Sequence, residues 1–170
     1  MEQYALYLVI KEIIDNLGYN FKTSFNDYDI NGDNVIGIIF KGGTNPQYRE
    51  LSTGKYYGYT NRVQLIIQSG YTKASLLNTL SILKNIRDIL TSGIINKVYR
   101  AGSMRNSGGR LFINDNSGND NSGNEVYVWI TRTHLIGDVE FKSKSSQTRS
   151  IYSINMMFEY FIKLDTDGGN

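Results

Sequence analysis

The stretch SIYSINMMFEYFIKL, residues 150–164, places Tyr152, Ile154, Met156, Phe158, Tyr160, Ile162 and Leu164 on every second position, with Ser153, Asn155, Glu159 and Lys163 between them. An apolar period of two marks a strand with one buried face, because successive side chains point to opposite sides of the pleated backbone. At about 3.3 Å per residue such a strand spans roughly 50 Å, where about five or six residues is usual. Residues 125–141 read as extended too, and the two segments together predict a long C-terminal β-hairpin. Edges of that length left unpaired in a single copy invite other chains, which points to burial against neighbouring copies.

Working outward, residues 61–69 repeat the pattern, with Val63, Leu65 and Ile67 on one face and Arg62, Gln64 and Gln68 on the other. Thr72 then stands where a helix cap belongs, and residues 73–92 predict a helix closed by Gly93. Its Leu76, Leu80, Leu83 and Leu90 form one apolar stripe and Ile82, Ile86 and Ile89 a second, a face wide enough to serve this domain's core or a subunit contact. Residues 3–17 space Leu6, Val9, Ile10, Ile13, Ile14 and Leu17 as an amphipathic helix ended by Gly18. Residues 19–25 and 35–40 are short extended pieces expected to pair as a hairpin. Residues 41–60, rich in glycine and tyrosine, read as a loop or arm. Residues 101–124 read as a flexible Gly/Ser/Asn-rich excursion containing at most a short strand at 111–113. The predicted class is α+β: a mixed or antiparallel sheet packed by two helices, with the long C-terminal hairpin, in one domain over 1–170.

A chain of 170 residues buries roughly 70% of its unfolded surface without staples. The absence of cysteine removes disulfides and thiolate clusters and fits a reducing interior, or a particle assembled inside a cell. Eighteen Lys and Arg against sixteen Asp and Glu give a net charge of +2, too small to argue for nucleic acid or anionic membrane as a general partner. The N-terminal MEQYALYLVIKEII is interrupted by Lys11 and Glu12, unlike a secretory signal, and no window is apolar for long enough to span a bilayer.

The loop NDYDINGD, residues 26–33, imitates a calcium site by placing Asp27, Asp29, Asn31 and Gly32 in the D-x-[DN]-x-[DN]-G frame. The bidentate Glu that should close the frame is replaced by Ile38, and the β-branched VIGIIF at 35–40 predicts a strand where a helix is required. A polar turn feeding a strand is therefore the expectation, with a calcium-dependent binding module on Asp27, Asp29, Asn31 and Asp33 as the alternative.

No catalytic constellation emerges. His134 is the single histidine and falls in a predicted strand, Gly42-Gly43 and Gly108-Gly109 are turn pairs outside any phosphate-binding motif, and no carboxylate pair stands in a diagnostic setting. Two segments instead have the composition of interfaces. Tyr48, Tyr56, Tyr57 and Tyr59 gather in the glycine-rich arm, and Lys142, Lys144 and Arg149 in the tip FKSKSSQTRS at 141–150.

The order of elements, carried by VIGIIFKGG at 35–43, VQLIIQSGYTKASLLNTLSILKNIRDIL at 63–90 and RSIYSINMMFEYFI at 149–162, resembles the tail terminator (minor capsid, tail completion) proteins of tailed bacteriophages and phage-derived particles. That resemblance implies a protomer of a homo-hexameric ring in the tail and neck region of the virion. The ring would stop growth of the tail tube protein, dock to the head-tail connector or neck protein, and let DNA at most pass through its lumen. It implies no enzyme activity, no cofactor, no metal and no membrane partner.

Overall fold

The computed structural model of the protein describes residues 2–27, 35–43, 47–51, 54–68, 73–107, 110–114, 124–143 and 150–165. Helix α1 (Glu2–Asp15) is followed by strands β1 (Lys22–Phe25), β2 (Val35–Gly43), β3 (Gln47–Leu51) and β4 (Gly54–Gln68). Helix α2 (Lys73–Asp88) runs into a widened π-helical turn (Ile89–Gly93), and β5 (Lys97–Ser107), β6 (Arg110–Asn114), β7 (Asn124–Leu135), β8 (Glu140–Ser143) and β9 (Ser150–Asp165) complete the chain.

The strands among the described residues form one mixed sheet in the order β1-β2-β4-β9-β7-β5-β6, with β3 added to β4 and β8 to β9. It curls into a half-barrel with the two helices, so the α+β class holds. Strand β9 is its axis. One edge pairs with β4 from Tyr56↔Lys163 to Gln68↔Ile151, and the other with β7 from Glu125↔Asp165 to Leu135↔Met156 and then with β8 from Glu140↔Ser153 to Ser143↔Ser150. Both edges of the longest strand are thus occupied within one chain, so β9 itself offers no unpaired edge for other copies to cover.

The predicted arm over 125–141 is divided. An extra residue at Thr131 shifts the register between Ile130 and Arg132, and a turn through Gly137 (φ 72°) separates β7 from β8. Three more expectations are corrected. Strands β1 and β2 pair in parallel, Lys22↔Val35 to Phe25↔Ile38, and are not a hairpin. The backbone N–H of Asn26 (φ 54°) donates to the Ile38 carbonyl at 2.9 Å, and its Oδ1 accepts from the Phe40 N–H at 2.8 Å. These contacts anchor the end of β1 beside the far part of β2 before the chain returns. The arm at 41–60 is largely strand, since β3 folds back on the start of β4 with Tyr48 opposite Tyr57. Within 101–124, the β5–β6 hairpin uses residues up to Ser107 and from Arg110 to Asn114. Residues 115–123 lie outside the described residues.

One face of the sheet forms the core. The even-numbered side chains of β9 from Tyr152 to Ile162 are buried in a cluster with Val63, Leu65 and Ile67 of β4 and with Leu6, Ile10 and Ile14 of α1. Ile82, Leu83 and Ile86 of α2 belong to the same cluster. Ile82 and Ile86 therefore lie in the protomer's own core, and Ile89 is partly buried against it. The helix face is broad because its second stripe packs inward. Among its described side chains the exposed apolar ones are Leu77 (57% exposed) and Leu80 (36%).

Candidate interaction surface

The opposite face of the sheet carries the odd-numbered residues of β9. At one end it is closed by a small apolar group, Ile39 and Ile66 with Val35 and Ile151, beside a buried hydrogen bond from Gln64 Nε2 to Ser153 Oγ of 3.1 Å. The remainder of the face is open and organised in rows across the strands.

In the first row Arg62, Met157 and His134 are register partners, and Lys41 adjoins them. Lys41, Gly42, Gly43, Thr60, Arg62 and Met157 line a groove of about 300 Å³. The sequence KGG builds its wall. Register slips between Phe40 and Gly43, Gly42 adopts φ 80°, and a Cβ on Gly43 would stand 2.3 Å from Asn61 Nδ2 and 2.8 Å from the Thr60 carbonyl oxygen. Only glycine permits that approach. Asn61 is buried and holds the bend from below, its Nδ2 donating to the Gly42 carbonyl at 3.3 Å while its Oδ1 accepts from the Tyr160 hydroxyl at 2.6 Å. Lys41 and Arg62 are exposed and, among the described residues, have no ion-pair partner.

The next row holds Thr60, Glu159 and Arg132, with Arg132 Nη1 3.8 Å from Glu159 Oε1. The extra residue Thr131 makes this possible: its hydroxyl donates to the Glu159 carbonyl at 3.0 Å, and beyond it Arg132 and His134 emerge on the open face while Thr133 turns inward. A third row, Gly58, Phe161, Trp129 and Val98, crosses four strands. The Phe161 ring lies on Gly58, where a Cβ would come within 2.7 Å of it, and its centroid is 5.6 Å from that of Trp129. Val98 is 62% exposed. The last row contains Lys163, Tyr127 and Arg100; Arg100 Nε pairs with Glu125 Oε1 at 3.0 Å, and the Tyr127 hydroxyl donates to Glu125 Oε2.

Of the tyrosines expected as an interface, Tyr57 and Tyr59 have described side chains. Tyr59 packs inward, stacked on Tyr160 at 5.6 Å, so it belongs to the core margin. Burial, then the charges of Glu2 and Tyr57, raises the Tyr59 hydroxyl above its ordinary pKa. Tyr57 is 36% exposed, and Tyr48 and Tyr56 take their places in β3 and β4. Of the basic tip, Lys142 sits in β8 opposite Ile151, while Lys144 and Arg149 lie outside the described residues. Asp29, Asn31 and Asp33 do as well; Asp27 accepts from Ser24 Oγ at 3.3 Å, and the segment after the loop is strand β2. His134 is exposed, and the described residues contain no group of three metal-ligating side chains. No described helix is long and apolar enough to cross a membrane.

The row of Trp129 and Phe161 escaped the sequence reading, although a signal was present: Ile151, Met157 and Phe161 are apolar residues on the polar phase of β9. No known protein family matches the chain, and no curated protein matches it.

Proposed function

We propose that this protein is a structural component of a tailed-phage virion or related particle, a ring subunit that caps the tail tube, ends its polymerisation and joins it to the neck or connector. In this reading six copies close a ring, the sheet packed by two helices and its long C-terminal hairpin form the rigid body of each, and no reaction is turned over. The supporting observation is the open sheet face of β4, β9, β7 and β5, which exposes an aromatic and apolar row of the type enriched in protein contacts. The order of helix, KGG-terminated strand, long strand, helix and closing strands agrees with it. The β3–β4 hairpin with Tyr48, Tyr56 and Tyr57, and the tip with Lys142, Lys144 and Arg149, supply further assembly surfaces.

Native mass measurement and negative-stain imaging test the ring directly, with closed hexamers expected. Replacing Tyr56 and Tyr57 by Ser should leave the circular dichroism spectrum intact while tails grow overlong or fail to join heads. A monomer at high concentration, together with wild-type particle yield and tail length from that double variant, would overturn the reading.

A further inference from the structure

The chain as a whole is nearly neutral, but its charge is unevenly placed. Between the Met157 and Lys163 rows of the open face, the described side chains include the cations Lys41, Arg62, Arg132, Lys163 and Arg100 against the carboxylates Glu159 and Glu125. Successive rows are two residues apart along the strands, about 7 Å. The Trp129–Phe161 pair lies between the exposed cations Lys41 and Arg62 at one end and, at the other, Lys163 with Arg100, which is already paired with Glu125.

We propose that this face binds single-stranded nucleic acid, its backbone running along β9 with phosphates held at Lys41 and Arg62 and a base stacked on the Trp129–Phe161 pair. An aromatic pair, its rings tilted 32° to each other, beside exposed cations suits single strands because every base offers a π-face and the phosphates supply salt-dependent attraction. Charge disfavours a second copy as the occupant. One further exposed apolar pair, Leu77 and Leu80, lies on α2 beside Lys84 and Arg87 against Asp88 and would bring like charge to the face. The inference competes with a protein contact for this row but does not depend on the ring: a monomer can bind a strand here, and a ring can form through the β3–β4 hairpin and the tip at 141–150 without using this face.

Trp129 is the only tryptophan of the chain, so its emission reports on the site. The full-length protein is titrated with an oligothymidylate of about 16 nucleotides, the upper range for one small binding domain. Saturable quenching that weakens with salt is expected. Replacing Lys41 and Arg62 together by Ala should flatten the log-log salt dependence by about 1.4, two phosphate contacts on a single strand. Phe161→Ala should weaken binding by about 5- to 150-fold through lost stacking. Circular dichroism checks that each variant folds, and the surface pair Lys41 and Arg62 keeps the test decisive if Phe161→Ala does not. Absence of quenching at low salt overturns the proposal, as do quenching indifferent to all three substitutions, equal binding of polyglutamate, which would mark an acidic-protein seat, and tight binding of duplex DNA without quenching, which would mark a seat for the phosphate backbone alone.

Discussion

The two faces of β9 are built from one strand yet obey different rules. Its even phase, Tyr152 to Ile162, is apolar throughout and buried with residues of both helices, whereas its odd phase mixes Ser153, Asn155, Met157, Glu159, Phe161 and Lys163 and is partly open. The inward phase has one requirement, exclusion of water, and any break in it would put a polar group into a close-packed interior. The outward phase is free of that requirement from Met157 onward, so the aromatic and charged residues there are retained at no cost to the core. The neighbour β7 shows the same division from the other side. Its extra residue at Thr131 changes which residues face out, delivering Arg132 and His134 to the open face while Thr133, whose hydroxyl donates to the Leu90 carbonyl at 2.7 Å, stays within.

The sharpest way to break the comparison is to truncate one ring on each face. Phe158 is fully buried, and Phe158→Ala should cost about 3–5 kcal/mol from lost transfer energy and the cavity left behind. Phe161→Ala removes a partly exposed ring and should cost about 1 kcal/mol. Urea denaturation of both variants measures the difference; equal losses would mean that the open face is as integral to folding as the core.

A smaller effect is expected at Tyr160, whose ring belongs to the core and whose hydroxyl bonds Asn61 beneath the KGG bend. Tyr160→Phe leaves the buried Asn61 oxygen without that donor and should destabilise by about 1–3 kcal/mol. Burial above all, then the charges of Glu2 and Tyr59, holds this hydroxyl neutral well beyond the ordinary 10.0. The sign follows: below pH 10 the group is neutral in both states, and above it the unfolded chain releases a proton that the folded chain retains. Stability should therefore be at its full value below the ordinary tyrosine range and decline as pH rises through it. The Phe variant should lose part of that alkaline decline, measured as melting temperature against pH.

Much of the architecture was legible in the sequence because it rests on periodicity. The even phase of β9, the strand within 61–69 and both helices were visible in the spacing of Leu, Ile and Val. What periodicity does not carry is pairing. The parallel partnership of β1 with β2 depends on where Asn26 fastens the chain, and the hairpins built from 41–60 and from 97–114 lie in glycine- and asparagine-rich sequence whose local preference is weak. The open face was the least legible part. Its rows join Lys41, Arg62, Met157 and His134 from four strands, and a slip at Phe40 and another at Thr131 must both be known before those residues become neighbours.

The smallest effect concerns α2, where the two-face contrast recurs on one helix. Ile82 and Ile86 point into the core, so they cannot report on association without also reporting on folding. Leu77 and Leu80 are exposed, and replacing both by Ser should change stability by only about 0.5 kcal/mol. That near-silence in the denaturation curve makes the pair a clean probe. If six copies close a ring through this side of the molecule, the double variant should show a lower native mass at equal protein concentration with an unchanged unfolding midpoint. If it retains full ring mass, the contact between copies runs through other surfaces, with the β3–β4 hairpin and Tyr57 the next to test. A large loss of stability would place Leu77 and Leu80 in the folding core of the single protomer, contrary to their exposure.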